Sequence, residues 1–153
     1  MNFNFVSRSA EEFGPYALTA LRIVTALIFF LHGSQKIWGF PALPAFGLPE
    51  AYSLLWVGGI LEVIGGGMIF FGLFTRLTAF ILSGEMAVAY WMFHASKSFY
   101  PTQNGGEGAI LYCFIFLLIS CFGPGKISLD AVIRARVLKS VSKEQEVSSM
   151  PDA

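Results

Sequence analysis

Three ionisable side chains lie inside apolar stretches of this sequence: Arg22, Glu62 and Glu85. A carboxylate at the depth of Glu62 costs about 2.5–3.5 kcal/mol on insertion scales. Glu62 is therefore expected to be protonated, paired or turned toward a polar interior. Helical rise puts Arg22 roughly 9 Å and Glu85 roughly 12 Å in from one side, and Glu62 roughly 18 Å in from that side. These depths predict a polar core of Arg22, Glu62 and Glu85, the candidate catalytic set. With both carboxylates ionised its net charge would be minus one, so the carboxyl farther from Arg22 is expected to hold a proton. Such a proton suits a quinone or another proton-coupled ligand. The same residues could instead be polar ties that hold helices in register, and the sequence leaves both readings open.

A second polar group gathers near the other side: His32, Gln35, Lys36, His94, Lys97, Asn104 and Glu107. A quinone pocket would draw on Arg22, His32, Lys36, Glu62, His94 and Glu107. Two histidines across a bundle can ligate haem, but a hydrogen-bonded interfacial histidine is the commoner state, and haem is not expected. Glu107 also suits the start of a helix, where the dipole favours a carboxylate. Cys113 and Cys121 are eight residues apart, about 12 Å along one helix, too far for an intrahelical disulfide. They read as small buried hydrophobes. No Cys/His spacing suggests a metal site.

The elements that must position these groups are helices in a bilayer. Of 153 residues 55% are hydrophobic and only 13% charged, with sixteen Phe, against about 25% charged in soluble domains. The fold class expected is all-α, a polytopic membrane protein with a four-transmembrane-helix bundle and a cytoplasmic amphipathic C-terminal helix. Residues 1–15 form a cytoplasmic N-terminal segment that does not read as a cleaved signal. The transmembrane domain covers 16–125, with spans at about 16–37, 54–74, 77–95 and 108–122. Pro15 suits the start of the first helix. Residues 126–139 read as an interfacial amphipathic helix, and 140–153 as a disordered tail. Span two organises the rest. Gly58, Gly65 and Gly72 recur every seven residues on the stripe that carries Glu62, and small residues there let a neighbouring helix approach. The same stripe could serve a homodimer.

Charge placement sets the topology. Arg8, Arg76, Lys126, Arg134, Arg136, Lys139 and Lys143 fall on one side, and only Lys36 and Lys97 on the other. The positive-inside rule then puts both termini in the cytoplasm. A net charge of zero gives no reason to expect nucleic acid as a partner.

The ordered set Arg22, His32-Gly33-x-x-Lys36, Glu62 before a glycine run, Gly72-Leu-Phe-Thr-Arg76, Asn104-Gly-Gly-Glu107 and Gly123-Pro-Gly125 with Ser128-x-Asp130 resembles the DoxX family of small bacterial membrane proteins. The resemblance covers about residues 16–130. It implies a four-helix bundle in the cytoplasmic membrane and links to quinone-dependent redox complexes or thiol and quinone stress. Span three departs from the pattern by carrying Glu85 where an uncharged polar residue such as Asn is expected. No motif for flavin, haem attachment or an iron–sulfur cluster is present, so electrons would come from a partner oxidoreductase. The leading expectation is a quinone-associated subunit. The alternatives are a non-enzymatic scaffold that docks a soluble oxidoreductase, and a small proton-coupled transporter or exporter.

Overall fold

The computed structural model describes residues 3–148, and every regular element among them is helical. Helix α1 runs Phe3–Trp38, α2 Leu54–Phe71 and α3 Thr75–Ala89, the last continuing into a π-helical turn at Tyr90–His94. A short α4, Pro101–Asn104, lies in the following loop; α5 covers Glu107–Phe122 and α6 Leu129–Ser148. Among the described residues, two stretches are long and apolar enough to cross a membrane, Glu11–Trp38 and Leu54–Phe71. Helix α5 is apolar but shorter.

Helix ends follow local chemistry. The Ser53 hydroxyl accepts a hydrogen bond from the Trp56 N–H at 3.2 Å and starts α2. Gly72, at φ +70°, ends it: its N–H reaches Ile69 O at 3.0 Å and the Leu73 N–H reaches Met68 O at 2.9 Å. This is the Schellman arrangement, which favours glycine because the left-handed conformation clashes with a Cβ.

Helix α1 packs on α2, α3 on α5, and α2 touches α3. The glycines of α2 come in pairs and serve two neighbours. A Cβ on Gly59 would stand 2.9 Å from Lys36 Cβ, and one on Gly66 would stand 3.2 Å from the Phe30 backbone, both on α1. Cβ atoms on Gly58 and Gly65 would meet α3 instead, 3.3 Å from Glu85 Oε1 and 2.7 Å from Leu82. Gly33 answers from α1, where a Cβ would lie 2.8 Å from Gly59 O. The Gly58 and Gly65 stripe thus packs on a neighbouring helix as expected, and a second stripe, Gly59 and Gly66, beside it places α2 between α1 and α3.

The buried apolar core is small: Ala26, Phe29, Ile69, Ala79, Leu82, Met86, Phe116 and Ile119. The Phe29 ring meets Phe116 edge-on at 4.8 Å and Tyr112 at 5.2 Å, which ties α1 to α5. Outside, Val24, Leu27, Ile64, Phe80, Leu111 and Phe114 are exposed, while Arg22, Thr25, Ser34, Glu62, Thr78 and Ser83 are buried. Polar side chains inside and large apolar ones outside suit a lipid environment.

Three expectations are corrected. Residues 3–15 continue α1 rather than forming a separate segment, and Pro15 lies inside the helix instead of starting it. A proline removes one helical N–H donor, and residues 11–17 are exposed, so solvent can satisfy the carbonyl left behind. The interfacial helix does not end at 139. Helix α6 extends to Ser148, so residues 140–148 are helical and not a disordered tail. Lys, Glu and Gln are good helix formers, and no Gly or Pro interrupts them before Pro151. Residues 149–153 of the expected tail lie outside the described residues.

Candidate functional site

The polar centre of the molecule is built on α2 by Glu62, which is 2% exposed. The Lys36 ammonium reaches it from the end of α1, with Nζ 2.6 Å from Glu62 Oε1. The approach is allowed because Gly59 and Gly33 let the two backbones close together. Glu85 enters from α3 through the gap that Gly58 leaves, and the charges of both Glu62 and Lys36 bear on it. One oxygen of each carboxyl, Glu62 Oε2 and Glu85 Oε2, is buried without a hydrogen-bond partner. Buried polar atoms are nearly always bonded. Two orphaned oxygens from neighbouring helices mark a place where another oxygen or proton can be held.

Tyr112 of α5 is half-buried, with its ring against Phe29 and Phe116. The His32 ring lies edge-on to Tyr112 at 5.9 Å, on an exposed part of α1. His94 belongs to a different group. Its Nδ1 lies 3.1 Å from Asn104 O, and its ring stacks on Tyr90. Asn104 is buried and folds the loop: its Nδ2 donates to Ser98 O at 2.7 Å and its Oδ1 accepts from the Gly106 N–H at 2.7 Å. Glu107 is exposed at the first turn of α5. Of the expected pocket, the structure brings together Lys36, Glu62 and Glu85, with His32 on the flank. His94 and Glu107 go to the loop.

Arg22 does not join the carboxylates. It is 1% exposed and caps backbone instead. Its Nε donates to Pro124 O at 2.9 Å and its Nη2 to Ile127 O at 2.7 Å, while Nη1 donates to Ile69 O and Phe70 O. The antiparallel register of α1 and α2 causes this. Arg22 falls opposite the last turn of α2, where carbonyls lack helical partners. Glu62 lies two turns back, about 10 Å along the axis. Among the described residues, Lys36–Glu62 is the one ion pair.

The same end holds further ties. Asp130 accepts from the N–H groups of Phe74 at 2.8 Å and Thr75 at 2.9 Å, and so caps α3 from α6. Arg76 Nη1 donates to the last carbonyls of α5, Ser120 and Cys121. Thr19 Oγ1 accepts from Lys126 N at 2.8 Å. A Cβ on Gly72 would stand 2.5 Å from Ser128 Cβ, and one on Gly125 would stand 2.5 Å from Thr19 Oγ1. Sequence reasoning placed Tyr112 in its span without a role and missed Thr19. The second glycine of each pair was the available signal for the close approach of α1 that brings Lys36 to Glu62.

Comparison with known proteins adds the family context. Residues 17–95 match the DoxX family model. An uncharacterised protein of Haemophilus influenzae is 43% identical over 124 residues, which cover 78% of this chain and 92% of that one. The Escherichia coli protein named "Inner membrane protein YphA" is 29% identical over 126 residues, covering 76% of this chain and 89% of the relative. A Bacillus subtilis protein bearing the name "Putative oxidoreductase CatD" is 37% identical over 67 residues, 41% of this chain and 48% of its own. No solved structure matches the chain significantly.

Proposed function

This chain belongs to the DoxX family, and from that premise we propose that it is a quinone-associated subunit of a bacterial membrane oxidoreductase. The observation that carries the reading is the pair of buried, unpartnered oxygens, Glu62 Oε2 and Glu85 Oε2, beside the Lys36–Glu62 ion pair. The names of the Bacillus subtilis and Escherichia coli relatives support a redox role and an inner-membrane location.

In this reading the spans are α1 from about Tyr16, α2, α3 with its π turn, and α5. Both termini face the cytoplasm with Arg76 and the basic α6, and Lys36 lies toward the other side. A bound quinone supplies a carrier of two electrons and two protons. The chain's own residues supply the rest. One ammonium between two carboxyls is neutral when one carboxyl keeps its proton, the inexpensive state in a low dielectric. Lys36 Nζ can donate a hydrogen bond to a ligand oxygen, and a protonated carboxyl can deliver a proton by general acid catalysis. Lys36 is about one-fifth exposed, so it links the buried pair to the outside. His32, one helical turn from Lys36, lies edge-on to the Tyr112 ring. Electrons come from a partner protein.

The test is organic extraction of the chain purified in mild detergent, followed by chromatography for quinone. About one quinone per chain is expected, with a loss of at least about fivefold in Glu85→Gln, which changes the charge and donor pattern without changing shape. A folded wild-type chain that carries no quinone and takes up none from added lipid overturns the reading.

A further inference from the structure

At the end where α2 turns into α3, a crevice of about 1450 Å³ opens between α1, the start of α3, the end of α5 and α6. It lies away from the Glu62 centre, and its walls divide by chemistry. Leu18, Leu118 and Phe122 form an apolar flank, and Arg76, Lys126 and Arg134 bring three cations to the same space. Two carboxylates, Glu11 and Asp130, also line it. Asp130 is already committed, since each of its oxygens accepts a backbone N–H of the α3 start. Glu11 is exposed. None of the three cations is in an ion pair among the described residues, and Arg76 Nη1 donates to neutral carbonyls.

Three cations against two carboxylates leave the crevice net positive, and positive charge beside an apolar flank is complementary to an anionic amphiphile. We propose that this crevice binds one anionic phospholipid, its phosphate held by Arg76, Lys126 and Arg134 and an acyl chain laid along Leu18, Leu118 and Phe122. Basic pockets between membrane helices hold lipid headgroups in this way. A free phosphate would leave the apolar flank unfilled. A zwitterionic headgroup would bring its own ammonium toward the three cations. The site stands on charge and shape alone and is independent of the quinone reading.

The experiment uses the full chain, purified and delipidated in mild detergent, with phosphatidylglycerol or phosphatidylcholine of identical acyl chains. Native mass spectrometry reads the fraction of chains that carry one lipid. About tenfold greater retention of phosphatidylglycerol is expected, since each basic residue near a headgroup is worth about fivefold. The double variant Lys126→Gln/Arg134→Gln should cut phosphatidylglycerol retention at least about fivefold and leave phosphatidylcholine unchanged. Lys126 keeps its place through its backbone N–H, which donates to Pro15 O and Thr19 Oγ1, so the fold should survive. If the double variant does not fold, Arg134→Gln alone on the exposed α6 is read, with a drop of about fivefold expected. Equal retention of the two lipids overturns the proposal, as does a folded variant that loses nothing. Inorganic phosphate that displaces phosphatidylglycerol completely at millimolar concentration also overturns it, because the site would then be one for phosphate alone.

Discussion

Two polar centres lie inside this molecule, and they are finished differently. Around Arg22 every main charge is met: the guanidinium reaches four carbonyls from two segments, and both Asp130 oxygens receive N–H groups. Around Glu62 the account stays open, with one ammonium facing two carboxyls and two buried oxygens without partners. The first centre ties helix ends together, and its guanidinium and carboxylate are both spent on backbone groups. The second has capacity and little structural reason for a second carboxyl. The contrast separates residues that hold the fold from residues we propose to act, although both sets look alike as charges in apolar stretches.

Substitutions can break or sharpen this contrast. The largest effect is expected at Arg22. Arg22→Met removes the guanidinium from the carbonyls of Ile69, Phe70, Pro124 and Ile127 and should destabilise the chain by about 3–5 kcal/mol, read as a lower midpoint of thermal unfolding in detergent. Arg22→Lys should recover only part of this, because a single ammonium lacks the fork that spans both segments. Gly72→Ala comes next. It forces a side chain into φ +70° and toward Ser128, at about 2–3 kcal/mol, by the same measurement. Asp130→Ala removes the cap of α3 and should cost about 1–2 kcal/mol, visible as faster amide exchange at Phe74 and Thr75. The smallest stability change belongs to Glu85→Gln, within about 1 kcal/mol of wild type, yet this variant should lose bound quinone. Destabilisation by Glu85→Gln as large as that of Arg22→Met would erase the distinction between the two centres.

Much of the fold was legible because apolar length and punctuation are local signals. The prolines between 41 and 49 and the Gly123-Pro-Gly125 break mark real ends of helices, whereas Gly72, read as part of the stripe inside span two, ends α2. Glu62 and Glu85 could be seen as a pair, since each sits alone in an apolar stretch. The partner of Glu62 was misjudged. Charge complementarity and depth favoured Arg22, but its true partners are backbone carbonyls at helix ends, which no side-chain pattern displays. Lys36 was seen as an outer residue. Its reach to Glu62 depends on the approach of α1 to α2 at Gly33 and Gly59, a property of helix rotation. The extent of α6 was missed because polar composition was taken for disorder, whereas helix propensity does not require an apolar face.

The paired glycines of α2 have one more consequence. Gly58 and Gly65 repeat at seven residues, as do Gly59 and Gly66. On a straight α-helix such a repeat drifts by about 20° per heptad. A neighbour that keeps to one glycine track must therefore wind gently leftward about the α2 axis. With α1 on one track and α3 on the other, the three helices should share a left-handed coil, written into the chain by an interval of seven and needing no side chain from α2 at the contact points.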